Sequence, residues 1–341
     1  MNILYVTNRR DFGYISDRRR AASWAKSRGI TLTKSIDQPI DYAILQVTSD
    51  FRIIRELKAP FTLDMVDMYL ARREQLLKDM ARGLVREDRW FQDVRFSRRL
   101  ESVCKSAKSI VVGSEEQASF ARRYNENVHV ILDNHDEFGP PQKLRSVDVN
   151  KTKGFKLVWE GLSSNLEHLF KQSEPLTSFL KQTDSNLYIF TNQQKHRFMD
   201  KYFASQTKER VQKHFSQCVE RVHFTEWSVE SLKDLSMQMD FAIIPIDIDD
   251  PFAEGKPENK MLIYLRLGLP VLVSPTSAYR RVAMNLGLEN FLVEKNDWNK
   301  ALNPKELGKL AGLPARHIQE WLTTCHNGRV LHDKWDKVFM P

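Results

Sequence analysis

The residues best placed to do chemistry fall within 245–279, PIDIDDPFAEGKPENKMLIYLRLGLPVLVSPTSAY. An apolar run ends at Pro245, and a polar loop follows with Glu254, Gly255, Lys256, Glu258, Asn259 and Lys260. A helix is predicted from Asn259, a residue suited to cap it. The free amides and partial positive charge of a helix start attract phosphate. Lys256 and Lys260 beside it can neutralise a diphosphate without a metal ion; the alternative is that both only solvate a loop. Asp247, Asp249 and Asp250 have a spacing at which carboxylates bind Mg²⁺ together with phosphates, although a solvated loop is the default for such a run. Gly161 ends another apolar run, where the missing Cβ lets backbone amides approach a phosphate or simply makes a turn.

Other candidates lie at predicted strand ends. Asp64 and Asp67 follow an apolar run; one could take a hydroxyl proton as general base, and the competing role is a cap or structural carboxylate. His135 follows Asp133 and Asn134, either reaching the reacting groups or serving as a hinge residue. Trp227 suits packing on a base or ribose, or the core.

The elements that must position these residues alternate. Apolar, β-branched runs predict strands over 3–7, 42–47, 61–64, 110–112 and 128–132, with helices over 16–28, 50–58, 69–104 and 115–124 between them. Ser16 is placed to cap the first helix and Gly29 to stop it. Residues 139–153, opening Gly139-Pro140-Pro141, read as a linker. The alternation restarts with strands over 156–159, 187–191, 221–224, 241–245, 270–274 and 291–293. Helices are predicted over 165–181, 195–216, 229–239, 259–267, 279–286 and the C-terminal stretch. Strand–helix alternation implies parallel sheets covered on both faces. The fold class is therefore α/β with two doubly wound, Rossmann-like domains. The first covers 1–138, the linker 139–153, the second 154–315, and a terminal helical segment 316–341. Such sheets bind ligands beyond the carboxyl ends of their strands, and two domains facing each other create a cleft.

Composition narrows the classes. Of 341 residues, 41% are hydrophobic and 28% charged, which fits a globular chain and argues against disorder. No apolar run reaches the roughly 20 residues that span a bilayer, and the first residues lack the features of a signal peptide. Cys104, Cys218 and Cys325 are odd in number and far apart, so a reducing cytoplasm fits best. Residues 1–100 carry 20 Lys/Arg against 13 Asp/Glu, nearly all of the net +8. Residues 72–99 hold nine Lys/Arg and five Asp/Glu with Trp90, Phe91 and Phe96 interleaved. That pattern suits adsorption to an anionic membrane surface, or a helix with one solvated face. No RNA-binding motif accompanies it, so no nucleic-acid partner is expected.

Lys256, Asn259, Lys260, Gly268, Pro270 and Val271 match the Lys-x-x-Asn-Arg/Lys element and Gly-x-Pro-Val strand of the GT-B glycosyltransferases, and the segment resembles their donor half. The resemblance extends to residues 157–161 (LVWEG), 222–228 (VHFTEWS), 131–134 (ILDN) and 64–67 (DMVD), nearly the whole chain. It is nearest to bacterial surface-polysaccharide transferases. It implies a nucleotide-sugar donor on the second domain, contacted by Gly161, Trp227, Lys256, Glu258, Asn259 and Lys260. It also implies a glycan or lipid-linked acceptor handled near Asp64, Asp67 and His135, no resident cofactor or metal, and a terminal helix crossing back to the first domain with Trp335 packed there.

The chain departs from the family in one respect. Many retaining relatives carry two glutamates with seven residues between them, and those positions fall at Gly255 and Ile263. Retention and inversion therefore both stay open. A nucleotide-sugar epimerase of the same fold and a non-catalytic glycan or nucleotide-sugar binding protein are the alternatives to a glycosyltransferase.

Overall fold

A computed structural model describes residues 1–7, 12, 15–71, 96–197, 203–311 and 314–339, with backbone only for 194–197 and 203–205. Arg9, Arg10, Gly13, Trp90, Phe91 and most of the basic 72–99 segment lie outside the described residues. The chain divides into two compact units. Unit 1 comprises Met1–Asp136, Pro251–Pro257 and His326–Pro341; unit 2 comprises Glu137–Asp250 and Glu258–Cys325.

Unit 1 is built on a parallel sheet in the order β2-β1-β3-β4-β5-β6. The strands are β1 (Ile3–Val6), β2 (Leu32–Thr33), β3 (Tyr42–Gln46), β4 (Phe61–Met65), β5 (Ser109–Val112) and β6 (Val128–Val130). Their near-continuous apolar runs follow from burial on both faces. Leu4, Ala43, Leu45, Leu63, Ile110 and Val112 pack into one core, and Ile3, Tyr5, Tyr42, Ile44 and Val111 into the other. Helices α1 (Ile15–Arg18), α2 (Ala21–Ser27), α3 (Phe96–Ser106) and α4 (Glu115–Ala121) join them. The helix expected over 16–28 is thus two pieces. The chain turns at Arg20, whose side chain pairs with the buried Asp64 carboxylate, and Gly29, at φ 65°, follows the end of α2. Residues 50–58 form a short 3-10 turn, Phe51–Arg55, rather than an α-helix.

The terminal helix Gly328–Phe339 completes the second core of unit 1. Trp24 stacks on Phe339 at 4.6 Å and on Trp335 at 6.1 Å, and its Nε1 donates to Asp336 at 2.7 Å. Of the terminal segment 316–341, expected to return to the first domain, only the part from His326 belongs to unit 1, with Trp335 buried; the preceding helix Ala315–Cys325 belongs to unit 2.

Unit 2 carries a parallel sheet in the order β11-β8-β7-β12-β13. Its strands are β7 (Lys156–Glu160), β8 (Asn186–Thr191), β11 (Val222–Glu226), β12 (Phe241–Ile244) and β13 (Val271–Val273). A separate antiparallel pair, β9 (Gln194–Arg197) and β10 (Phe203–Gln206), replaces the first half of the helix expected over 195–216; only Thr207–His214 is helical. The strand expected over 291–293 is a 3-10 turn with a single bridge, Val273 to Leu292.

The helices that matter below are α5 (Val229–Ser236), α6 (Asn259–Arg266) and α7 (Ser277–Leu286). Helix α5 starts with a Ser228/Ser231 capping box, and α7 with Thr276 accepting from the Tyr279 amide. Residues 139–153 are tied into unit 2. Arg145 donates to the carbonyls of Ser236, Met237, Met239 and Gly268 at 2.5–3.2 Å. The three cysteines stay apart as free thiols. Among the described residues no helix is long and apolar enough to cross a membrane.

Candidate functional site

Sheet order locates the binding crevices. In unit 2 the chain runs outward from β7 through β8 to β11, then resumes at β12 on the other side of β7. The order reverses between β7 and β12, and ligands of open α/β sheets bind beyond the strand ends at such a point.

The carboxyl end of β7 carries Trp159, Glu160 and Gly161, and α6 sends Lys260 to meet it. The Lys260 ammonium donates to the Glu160 carbonyl at 2.8 Å, lies 4.0 Å from the Glu160 carboxylate and sits 5.2 Å above the Trp159 ring. Gly161 makes this approach possible, since a Cβ there would stand 2.5 Å from Lys260 Nζ and 3.0 Å from the Trp159 ring. Glu258 precedes α6 at its N-cap, makes no side-chain cap bond to it, and pairs with Arg281 of α7 at 3.5 Å. Asn259 is therefore the first helical residue, not the expected cap. Two cation–carboxylate pairs thus flank the start of α6.

Two buried phenols stand nearby. Burial, then the Glu160 charge, holds Tyr264 well above the usual tyrosine range. Tyr279 is raised by burial and by both Glu160 and Glu258. Both stay neutral. Gly161, Glu258, Asn259 and Lys260 are brought together in unit 2, with Glu160 and Arg281, which sequence reasoning missed. Arg281 lies too far along the chain for any local motif to join it to Gly161.

The other predicted residues lie elsewhere. Lys256 falls in the part of the chain that belongs to unit 1, its ammonium 6.0 Å from the Phe252 ring centroid. Trp227 is half-buried just past β11, the edge strand two removed from β7. The Asp247 carboxylate is engaged by Lys171, which holds it below its usual range. Among the described residues no three His, Cys, Asp or Glu side chains converge as a metal ion requires. A cavity of about 250 Å³ beside β11, lined by Lys208, Gln212, His223 and Phe224 among others, includes none of the predicted residues.

At position 255 a side chain would require Met68 to shift. A Cβ on Gly255 would collide with Met68, and the Gly255 carbonyl accepts from Ser114 Oγ and Gln117 Nε2, both at 3.1 Å. Ile263 is buried on the core side of α6.

In unit 1 the order reverses between β1 and β3. Tyr5, Thr7, Asp17 and Gln46 form a hydrogen-bonded group there. Tyr5 donates to Asp17 at 2.8 Å, Gln46 Nε2 donates to Tyr5 at 2.8 Å and also to Asp17, and Thr7 donates to Gln46 at 3.1 Å. Burial raises the Asp17 carboxyl above the usual aspartate value, opposed by the Tyr5 hydrogen bond.

Asp64 is one strand further on, fully buried and gripped by Arg20 through Nε at 3.0 and 3.2 Å and Nη2 at 2.6 Å. Burial alone would lower Arg20, but the charges and hydrogen bonds of Asp64 and Asp133 more than reverse this. Burial raises the Asp64 carboxyl, opposed by the charge and hydrogen bonds of Arg20, so the structure places Asp64 inside a sealed ion pair. His135 is likewise sealed in unit 1, its ring 4.9 Å from that of buried His326, and not placed to meet a reactant. Asp67, beyond β4, is half-buried.

No protein-family model matches the sequence, and no curated protein matches it. Solved structures do match in fold. A glycosyltransferase from Rickettsia africae ESF-5 superposes with TM-score 0.61 at 13% identity, over 99% of this chain and 98% of that one. A point mutant of S. aureus TarM, in complex with Fondaparinux, alpha-GlcNAc-glycerol and UDP, gives 0.58 at 11% identity over 88% of this chain. This chain spans 55% of TarM's length. The N-terminal domain of Candida albicans trehalose-6-phosphate phosphatase gives 0.55 at 12% identity, over 98% and 82%. These likenesses establish the fold: the chain has the GT-B type of α/β architecture.

Proposed function

We propose that this chain is a metal-independent glycosyltransferase that takes its sugar from a nucleoside-diphosphate donor bound on unit 2. One observation carries the reading. At the point where the strand order of unit 2 reverses, Lys260 meets a glycine at the end of β7. Gly161 supplies close backbone approach, Lys260 and Arg281 supply charge, and the first turn of α6 supplies amides. Glu258 and Asn259 line the same helix start. The fold supports the reading, since the R. africae protein is a glycosyltransferase and TarM was crystallised with UDP.

The chemistry is cleavage of the anomeric C–O bond to phosphate. Charge develops on the leaving diphosphate, and fixed cations and amides stabilise it most where water is excluded. Trp227 and Lys256 are secondary donor contacts in this reading. Asp67 is the acceptor-side carboxylate that remains once Asp64 and His135 are assigned to the core. The acceptor is a cell-surface glycan or its lipid carrier, reached at the inner face of a membrane through the basic segment 72–99.

The absence of side chains at 255 and of a carboxylate at 263 favours one other reading, a nucleotide-sugar binding protein without turnover. Thermal unfolding against a panel of nucleoside diphosphates and their sugars, with Lys260→Ala as control, tests the donor site. Ligand at 100 times its dissociation constant adds about 2.7 kcal/mol, a shift of a few degrees. A shift with one nucleotide, lost in Lys260→Ala, supports the site; no shift with any refutes it. Donor turnover then separates the readings. None means binding alone, turnover without acceptor means an epimerase, and turnover that needs acceptor means a transferase.

A further inference from the structure

Glu160 has no place in the reading above, yet it holds the central cation. Its carboxylate is almost sealed from water, with 8% of the side chain exposed, and the cation it faces is Lys260 at 4.0 Å. The ammonium's close bond is not to that carboxylate but to the Glu160 carbonyl, at 2.8 Å. An ion pair made for stability would close to hydrogen-bond distance, because a buried carboxylate held loosely costs more in lost hydration than it returns. The Arg20–Asp64 pair in unit 1, at 2.6 Å, shows what the closed form looks like in this chain. A loosely paired, buried carboxylate at the end of the central strand is better explained by what the ammonium does when an anion arrives. Glu258 and Arg281 pair at 3.5 Å on the other side of the α6 start.

We propose that Glu160 is a resident counter-charge of the donor site, a positioning residue that holds Lys260 beside Gly161 and competes with a nucleoside diphosphate for its ammonium. The inference rests on the donor-site reading. Before an anion binds, the site is electrically balanced by its own carboxylates. A diphosphate, with more charge than one carboxylate, displaces Glu160 from Lys260. After sugar transfer, Glu160 takes the ammonium back and speeds release of the nucleoside diphosphate. Glu160 thus trades affinity for turnover. It also rejects anions of low charge, which cannot outcompete it.

UDP binding measured by titration calorimetry at low ionic strength tests this, on wild type, Lys260→Ala, Glu160→Gln and the double variant. Glu160→Gln should bind UDP about threefold to tenfold more tightly, through slower dissociation, because a like charge near the phosphates is gone. The gain should shrink with added salt and vanish when Lys260→Ala is added. Unchanged or weaker UDP binding by a folded Glu160→Gln, alongside a wild type that binds and a Lys260→Ala that binds poorly, overturns the inference and leaves the donor site standing. No binding of UDP, GDP or ADP by wild type overturns both. If glutamine at 160 prevents folding, Glu160→Asp keeps the charge but withdraws it from Lys260. It should still tighten UDP by a smaller factor, and no tightening there overturns the inference equally.

Discussion

Arg20 closes on Asp64 from two directions, with Nη2 2.6 Å from one carboxylate oxygen and Nε within 3.2 Å of both, and neither residue reaches solvent. A further bond, from Nη1 to the Ile131 carbonyl at 2.6 Å, joins the pair to the chain beyond β6. The aspartate that sequence motifs mark as a reactant is a strut between the α1–α2 turn, β4 and that segment. Removing one partner leaves a buried charge without compensation. Asp64→Ala should therefore lower stability by about 3–5 kcal/mol, read from urea unfolding, with the remaining folded protein still binding nucleoside diphosphate. A variant as stable as wild type that has lost turnover would restore Asp64 to the reaction.

Gly161→Ala probes the opposite situation, where the neighbour is the end of a flexible side chain. The new methyl meets Lys260 Nζ at 2.5 Å and the Trp159 ring at 3.0 Å, so the ammonium must move and the ring yield slightly. Stability should fall by no more than about 1–3 kcal/mol, the usual cost of overpacking. Nucleoside-diphosphate affinity should fall about tenfold or more, since one displaced charge-assisted contact is worth ~1.5–3 kcal/mol. Thermal midpoints and titration of the same samples separate the two. Equal loss of both would mean that Gly161 is a packing residue only.

Much of this was legible from the sequence, and the gaps have physical causes. Strands such as Tyr42–Gln46 and Phe241–Ile244 are buried on both faces and announce themselves as apolar runs. Lys260 and Gly161 could be singled out because each sits at a strand or helix end, where local sequence pattern is easiest to read. Glu160 was hidden inside a strand whose pattern reads as core, and Arg281 on a helix whose relation to Gly161 is set only by tertiary packing. Asp64 reads ambiguously for a related reason, since a carboxylate at a strand end looks the same in sequence whether or not an arginine 44 residues away pairs with it. Gly255 shows the reverse, since its close packing against Met68 is invisible in the sequence.

Asp17 makes stability depend on pH in a defined direction. Burial raises its carboxyl in the folded chain above the usual aspartate value, so the folded state favours the protonated form. The stability this contributes is complete below the unfolded value, ~3.9. It is lost as pH rises through the folded value, where the folded state must hold a buried charge. Asp17→Asn abolishes the titration. The stability of Asp17→Asn relative to wild type should therefore increase as pH rises from about 3 through the raised value, then level off. Denaturant unfolding at a series of acidic pH values measures this. A difference that stays flat, or runs the other way, would show that the Tyr5 and Gln46 hydrogen bonds hold Asp17 ionised.

Arg145 ties residues 139–153 to unit 2 and fixes the geometry on which the donor site depends. Its guanidinium donates to Ser236, Met237 and Met239 at the carboxyl end of α5 and to Gly268 in the turn between α6 and β13. These are carbonyls that helix ends leave without partners, and a cation there also opposes the helix dipole. Gly268 holds φ at 68°, and a Cβ there would meet the Lys143 carbonyl at 2.5 Å, so glycine is required in the turn that Arg145 anchors. Arg145→Ala should cost about 2 kcal/mol or more, and Arg145→Lys should recover little, because an ammonium cannot match a planar fork aimed at several carbonyls. Both should lower the denaturant midpoint. Because the α6 turn moves when its anchor is removed, both should also weaken nucleoside-diphosphate binding, although Arg145 touches no ligand in this reading. Full rescue of stability by lysine would show that charge at the helix end, and not the fork geometry, is what Arg145 supplies.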